Sequence, residues 1–144
     1  MIHLNEEMRY LINRARADEV PCVMATVSAG GVPNAGYRGT IMVLDDEALA
    51  YRERGDPESV RQLQQNPKVV VLYRNPAQNA GWKFRCTAKV YRDGPTYQQV
   101  IDRLVGEGLL SNPDETGTAV VLQIDQVLSL YGEVLQERTP GLRW

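Results

Sequence analysis

The chain has 144 residues, of which 43% are hydrophobic and 24% charged, and its formal net charge at pH 7 is −2. This composition argues against a disordered chain and against the broad basic face of a nucleic-acid-binding protein. No run approaches the roughly 20 apolar residues of a membrane span, so we expect one cytoplasmic domain over residues 1–144 that binds neither membranes nor nucleic acid.

The first predicted element is an amphipathic helix near the amino terminus. Asn5 can cap it, and Glu6 and Glu7 follow in the first turn, where carboxylates favour the positive end of the helix dipole. One face of the helix carries the apolar residues, which are Leu4, Met8, Leu11, Ile12 and Ala15. We expect this face to cover one end of a sheet.

Three sequential antiparallel strands are predicted next. The first alternates over residues 23–28 and reverses at residues 29–31, Ala-Gly-Gly, because glycine accepts the positive φ of a hairpin turn. Residues 34–44 form the second strand, residues 45–47 make an acidic turn, and residues 48–51 begin the third strand.

A short helix and a buried strand follow. Asp56 can cap this helix, with Pro57 at its first position and Glu58 in its first turn, and the Asn-Pro pair at residues 66–67 ends it. Residues 68–73, KVVVLY, are rich in β-branched side chains and predict a central strand that is buried on both faces.

The remaining segments predict two more strands, at residues 82–91 and 117–130, around a helix that begins near residue 93. Residues 106–108, Gly-Glu-Gly, are expected to end that helix rather than to bind a dinucleotide, because no strand precedes them. Residues 112–115 predict a loop, and residues 136–144 form either a frayed tail or an arm that docks on a partner subunit. Six short strands in sequential hairpins favour a mainly β fold, a small antiparallel barrel with flanking helices.

The sequence offers few side chains for catalysis. His3 is the only histidine, which argues against a catalytic triad and against histidine-based metal sites. Cys22 and Cys86 lie in apolar runs without CxxC spacing, so we expect buried thiols rather than a disulfide or zinc ligands. No catalytic or metal-ligating residue is therefore predicted, and any enzyme activity would depend on a bound cofactor.

The order of these segments resembles the pyridoxamine-5′-phosphate oxidase-like superfamily of FMN-binding split β-barrels over roughly residues 20–92. The pieces that carry the resemblance are ATVSAGGVPNAGYRGT for the first hairpin, VLDDEALAYRER for the next reversal, and SVRQLQQNPKVVVLY for the helix and central strand. In that superfamily a flavin lies across a barrel strand at a dimer interface, and its phosphate is held near the helix that follows the third strand. The resemblance therefore implies a six-stranded antiparallel split β-barrel with flanking helices that forms a homodimer. Trp82, Trp144 and residues 127–131 exceed what a small barrel must bury, which also favours a subunit interface.

The resemblance also implies which residues would hold FMN. A phosphate favours helix amides, a hydroxyl and guanidinium groups, and the candidates are Arg38, Arg54, Ser59 and Arg61. The candidates for contact with the ring are Tyr37, Gly39, Thr40, Trp82 and Lys83, with Arg85 beside them. Structural roles stay open: the arginines as solvated sheet-edge charges, Ser59 as a helix cap, Gly39 as a bulge and Trp82 as the closure of the barrel end.

The function implied by the resemblance is an FMN-binding homodimeric oxidoreductase that acts on a small molecule. Two alternatives remain, which are a non-catalytic split-barrel binding protein that has lost FMN and a reductase that uses the deazaflavin F420. Glu58 bears on the choice, because a carboxylate about 4 Å from a phosphate costs about 4 kcal/mol at an effective dielectric constant of about 20. Arg61, further along the same helix, could offset that charge.

Overall fold

The computed structural model describes residues 1–112 and 117–144, which form one sheet of eight strands and three helices. The strands are β1 (Cys22–Val27), β2 (Pro33–Arg38), β3 (Met42–Asp45), β4 (Ala48–Glu53), β5 (Lys68–Asn75), β6 (Ala80–Tyr91), β7 (Thr118–Leu128) and β8 (Val134–Glu137). The helices are α1 (Glu6–Asn13), α2 (Pro57–Gln65) and α3 (Gly94–Gly106). None of the helices in these described ranges is long and apolar enough to cross a membrane.

The sheet is antiparallel and open. Its neighbouring strands follow the order β2-β1-β5-β6-β7-β4-β3, and β8 pairs with β7 beside this path. β2 and β3 are consecutive along the chain but lie at opposite ends of the order, so the sheet curls without closing. The predicted mainly β split barrel with flanking helices is therefore confirmed.

The predicted number of six strands is wrong, because the described residues contain two more. The segment predicted as one strand at residues 34–44 turns at residues 39–40, where the amide of Ile41 donates to the carbonyl of Arg38 at 3.5 Å. This turn lets β2 pair with β1 while β3 pairs with β4. The second additional strand is β8, which lies in the segment between the last predicted strand and the carboxyl terminus.

The predicted helix ends are confirmed. The side chain of Asn5 accepts a hydrogen bond from the amide of Met8 at 2.8 Å, and Asp56 caps α2. Helix α3 ends at Gly106, and Gly108 has a φ of +73°, as expected of a glycine that terminates a helix. The loop predicted at residues 112–115 lies, from residue 113 onward, outside the described residues.

The core has two parts. The larger part fills the inner face of the sheet beneath α1, and its largest fully buried side chains include Tyr51, Tyr73 and Phe84. The smaller part lies under α3, where Ile101 and Leu104 pack with neighbours from β3, β4 and β7. The thiols of Cys22 and Cys86 are free and buried, as predicted.

The carboxyl-terminal strap, which we define as residues 134–144, packs on the sheet of its own chain. The indole nitrogen of Trp144 donates to Asp125 at 3.1 Å, and the cations of Lys68 and Arg85 lie 5.7 and 5.3 Å from the Trp144 ring centroid. Arg138 of the strap also binds Asp125. The segment is therefore not a frayed tail, whereas its docking on a partner subunit stays a prediction, because Trp144 remains 39% exposed.

Candidate functional site

The predicted cofactor residues separate into two surfaces and one core position. Tyr37 and Lys83 lie on the outer face of the sheet, whereas Trp82 points into the barrel. The remaining candidates surround the turn after β2, the end of β4 and the start of α2, and they are Arg38, Gly39, Thr40, Arg54, Ser59 and Arg61. No single surface therefore carries the whole predicted set.

The side chain of Arg38 donates a hydrogen bond to the backbone carbonyl of Tyr37 at 3.0 Å and also lies close to side chains of β4. Its Nε lies 3.9 Å from a carboxylate oxygen of Glu53, and its Cζ lies 5.8 Å from the ring centroid of Tyr51. β2 pairs with β1, whereas β4 pairs with β3 and β7, so Arg38 and Arg54 do not belong to paired strands. Arg54 follows the end of β4 and is exposed.

Tyr51 and Glu53 are parts of this site that the sequence analysis missed. Burial, the largest effect, raises the pKa of Tyr51 to about 12, although the nearby charge of Arg38 lowers it. The Tyr51 hydroxyl and Arg38 Nε are buried and make no hydrogen bond of good geometry with the described residues. The available signal was the spacing of Tyr51 and Glu53, because residues two apart in a strand point to the same face.

The turn residues after β2 have structural roles. The Thr40 hydroxyl accepts a hydrogen bond from the amide of Arg52 at 3.2 Å and so ties the turn to β4. Gly39 lies in this turn rather than in a bulge, and a Cβ there would meet Arg16 at 3.5 Å, which is an ordinary contact. Steric contact with neighbouring residues therefore does not require glycine at position 39.

The start of α2 is occupied by carboxylates of the chain itself. Asp56 accepts hydrogen bonds from the amides of Glu58 at 3.0 Å and Ser59 at 3.4 Å. Glu58 forms an ion pair with Arg61. Asp56, rather than Ser59, is therefore the cap of this helix, and Arg61 already has an acidic partner.

These groups do not fit a flavin phosphate at the start of α2. A phosphate there would meet the carboxylates of Asp56 and Glu58, and it would have to displace the first from two amides and the second from Arg61. Each carboxylate at about 4 Å would cost about 4 kcal/mol at an effective dielectric constant of about 20. The phosphate role predicted for Ser59 and Arg61 is therefore not supported by their surroundings.

Trp82 is part of the barrel interior. Its ring is stacked on Tyr73, with centroids 5.9 Å apart and planes 12° apart, and it packs against the larger core cluster. The adjacent Lys83 points to the opposite face, because successive residues of a strand alternate. The alternative role for Trp82, packing that closes the barrel, describes its position better than ligand contact.

The outer face of β2, β1 and β5 is apolar and ends in cations on β6. One row of directly paired residues runs across the strands as Tyr37, Val23, Leu72 and Lys83. The next row runs as Ala35, Ala25, Val70 and Arg85. Tyr37 is 71% exposed and Leu72 is 37% exposed, so this apolar surface faces outward without a cover from the described residues.

A shallow groove lies at one end of this outer face. Its volume is about 260 Å³, and Val23, Tyr37, Leu72 and Arg74 contribute to its walls together with Pro21 and Pro76. The groove therefore combines an aromatic ring, aliphatic side chains and one guanidinium group. Within residues 1–112 and 117–144, no three His, Cys, Asp or Glu side chains are placed to hold a metal ion.

The chain belongs to the family described as pyridoxamine 5′-phosphate oxidase, whose family model matches residues 4–131. The comparison with curated proteins gave no significant match.

Several solved structures share the fold. HupZ of Group A Streptococcus has a TM-score of 0.75 and 22% identity, with 92% of this chain and 99% of HupZ covered. An F420 reductase has a TM-score of 0.62 and 20% identity, with 86% and 98% covered. An FMN-binding protein from Syntrophomonas wolfei has a TM-score of 0.57 and 16% identity, with 85% and 87% covered. At these identities the likeness establishes the fold alone.

Proposed function

We propose that this chain is a homodimeric flavoprotein of the oxidoreductase type, with FMN or a related flavin as cofactor and a small molecule as substrate. Family membership and the fold shared with an FMN-binding protein support a flavin. The observation that carries the proposal is the uncovered apolar outer face of β2, β1 and β5, bordered by the cations of β6.

The second copy of the chain is the proposed cover of this face. Exposed apolar patches on soluble proteins commonly mark interaction sites. Each of the two rows contributes three uncharged residues, one from each of β2, β1 and β5. Val27, which is 37% exposed, extends this patch along β1. A two-fold dimer would bury the same face on both copies, as self-complementary interfaces do.

The flavin ring is proposed to lie over the row from Tyr37 to Lys83. These residues are three strand spacings apart, about 14 Å, which leaves a flat apolar surface between an aromatic side chain and a cation. Tyr37 can stack on a planar ligand, and Lys83 can face a negative charge at its edge. Redox chemistry would belong to the bound ring, and the residues of this row would position it.

A deazaflavin is the second candidate cofactor. Its acidic tail would favour exposed cations along the groove, and Arg74, Lys83 and Lys89 project from the outer face of β5 and β6. Within the described residues these three side chains have no hydrogen bond or ion pair. The fold shared with an F420 reductase agrees with this candidate.

The proposal is tested by placing a charge on the outer face and by measuring mass and flavin content. Leu72→Glu introduces a carboxylate on this face, and Val105→Glu on α3 is the matched control, because Leu72 is 37% exposed and Val105 is 40% exposed. Each protein is analysed by size exclusion with light scattering, and by its visible spectrum after incubation with FMN or F420 and desalting.

We expect the unaltered protein and Val105→Glu to be dimers that retain a flavin spectrum, and Leu72→Glu to be a monomer that does not. A monomeric unaltered protein would refute the shared site. A dimer that retains neither cofactor would favour the non-catalytic alternative. A dimer in which Leu72→Glu changes nothing would place the interface elsewhere.

A further inference from the structure

We infer that this chain recognises the ring of its flavin and makes little use of a terminal phosphate. This inference rests on the proposed flavin function and concerns the class of ligand. The sites that could bind a phosphate at the start of α2 and in the gap between β2 and β4 already hold carboxylates, which are those of Glu53, Asp56 and Glu58.

The amides at the start of α2 are fully accounted for. Pro57, the first helical residue, has no N–H to offer. The amides of Glu58 and Ser59 donate to the side chain of Asp56, and the amide of Val60 donates to the Asp56 carbonyl at 3.3 Å. An anion bound to a helix start needs these donors, so a phosphate could bind only after the Asp56 side chain had left.

Two of the guanidinium groups, those of Arg38 and Arg61, are also engaged by acids. Arg61 is bound to Glu58 on the same exposed helix face. Arg38 faces Glu53 at 3.9 Å, where the two side chains are only 21% and 13% exposed. A phosphate at Arg38 would therefore bring a second negative charge into a half-buried space that already contains one.

With both of these places occupied by acids, the ligand that fits is a planar ring whose phosphate, where it has one, is held neither by α2 nor by Arg38. The outer face offers Tyr37, Val23 and Leu72 to such a ring, and none of these contacts requires a phosphate. Asp56 and Glu58 are thus proposed as specificity-determining residues that disfavour the phosphorylated form of the ligand.

The experiment compares FMN with riboflavin, because these probes differ only in the phosphate. Dissociation constants are measured by flavin fluorescence for the unaltered protein and for Asp56→Gly/Glu58→Gln, which frees two amides and Arg61. Glycine is tolerated at a helix cap, so this change should leave α2 folded. The control Asp46→Asn/Glu107→Gln also removes two carboxylates, and these acids pair with Arg9 and Arg103 instead of facing α2.

We expect the unaltered protein to bind FMN and riboflavin with dissociation constants within about threefold of each other. The Asp56→Gly/Glu58→Gln variant should bind FMN about tenfold more tightly than the unaltered protein, a change of about 1.4 kcal/mol. Its affinity for riboflavin, and both affinities of the control, should stay within about threefold of the original values.

The inference is overturned if the unaltered protein prefers FMN by about tenfold or more, even though the proposed flavin function would then stand. It is also overturned if removal of the carboxylates gives no gain for FMN. If the unaltered protein binds neither flavin, the proposed function fails and ring recognition fails with it; a gain of FMN binding in the variant would then support only the exclusion of a phosphate by Asp56 and Glu58. If the double variant does not fold, the single variant Glu58→Gln is measured instead. We expect it to bind FMN more tightly than the unaltered protein, by a smaller factor than the double variant, with no change in its affinity for riboflavin.

Discussion

Asp125 is predicted to be the main anchor of the carboxyl-terminal strap, and its replacement should weaken the fold measurably. Asp125 is a bulge residue of β7: Arg85 of β6 pairs with Gln126 and Cys86 pairs with Ile124, so Asp125 between them has no partner in β6. Its side chain is fully buried. Its carboxylate accepts hydrogen bonds from Thr87 at 2.7 Å and Trp144 at 3.1 Å, and it binds Arg138.

The expected magnitude follows from these contacts. Asp125→Ala removes four hydrogen bonds from three residues, Thr87, Arg138 and Trp144. Each of these residues contributes about 1 kcal/mol, because Arg138 and Trp144 regain water when the strap loosens. The free energy of unfolding should fall by about 3 kcal/mol, and the melting temperature by roughly 10 °C. Asp125→Asn keeps the shape and part of the hydrogen bonding but loses the charge that binds Arg138, so it should cost about 1 kcal/mol.

The dependence on pH provides a second readout. Burial alone would raise the pKa of Asp125, but the hydrogen bonds from Thr87, Arg138 and Trp144 and the charge of Arg138 outweigh it and hold the pKa below its usual value of 3.8. The carboxylate therefore contributes stability above about pH 4, and this contribution is lost as the pH falls through the lowered pKa. The difference in the free energy of unfolding between the unaltered protein and Asp125→Ala should therefore become smaller below about pH 4.

The assay is urea unfolding followed by circular dichroism at neutral and acidic pH. Asp93→Ala is the matched control, because Asp93 stands before α3 without a side-chain capping hydrogen bond, and it should cost less than about 0.5 kcal/mol. If Asp125→Ala is as stable as this control, the strap is not anchored by the carboxylate and the reasoning is refuted.

Three further predictions concern packing, capping and thiol reactivity. Gly81→Ala should lower the free energy of unfolding by about 1–3 kcal/mol in thermal melts, since a Cβ there would lie 2.6 Å from Leu130; an unchanged melting temperature would contradict this. Asn5→Ala should cost about 1 kcal/mol in urea, through loss of the α1 cap, and Asn5→Ser should restore most of it. Burial raises the pKa of Cys22 to about 12 and that of Cys86 well above its usual value, so a thiol reagent at pH 8 should label both only after denaturation; rapid labelling of the native protein would show that they are accessible.

The functional site could be predicted only in part, because a sequence pattern assigns residues to elements but does not identify the partners of a charge. Arg61 and Ser59 lie at the start of α2, as predicted, but Asp56 and Glu58 occupy the groups that were assigned to a phosphate. Trp82 was expected near a ligand, and its inward stacking on Tyr73 depends on which face of β6 the sheet covers. The alignment of Tyr37, Val23, Leu72 and Lys83 in one row could not be predicted. It depends on the register between four strands, which contacts between distant parts of the chain determine.

The local elements of this protein follow from short-range signals along the chain. Caps such as Asn5 and Asp56, the β-branched run that makes β5 a strand and the glycine that ends α3 act over a few residues, so their signals are complete within the sequence. The predicted burial of β5 on both faces is wrong, because Leu72 on its outer face is 37% exposed. The tertiary structure alone decided that β2 and β3 separate, that Trp144 folds back onto Asp125, and that the outer face stays uncovered. These features arise from contacts between residues far apart along the chain, whose free energy depends on the assembled sheet.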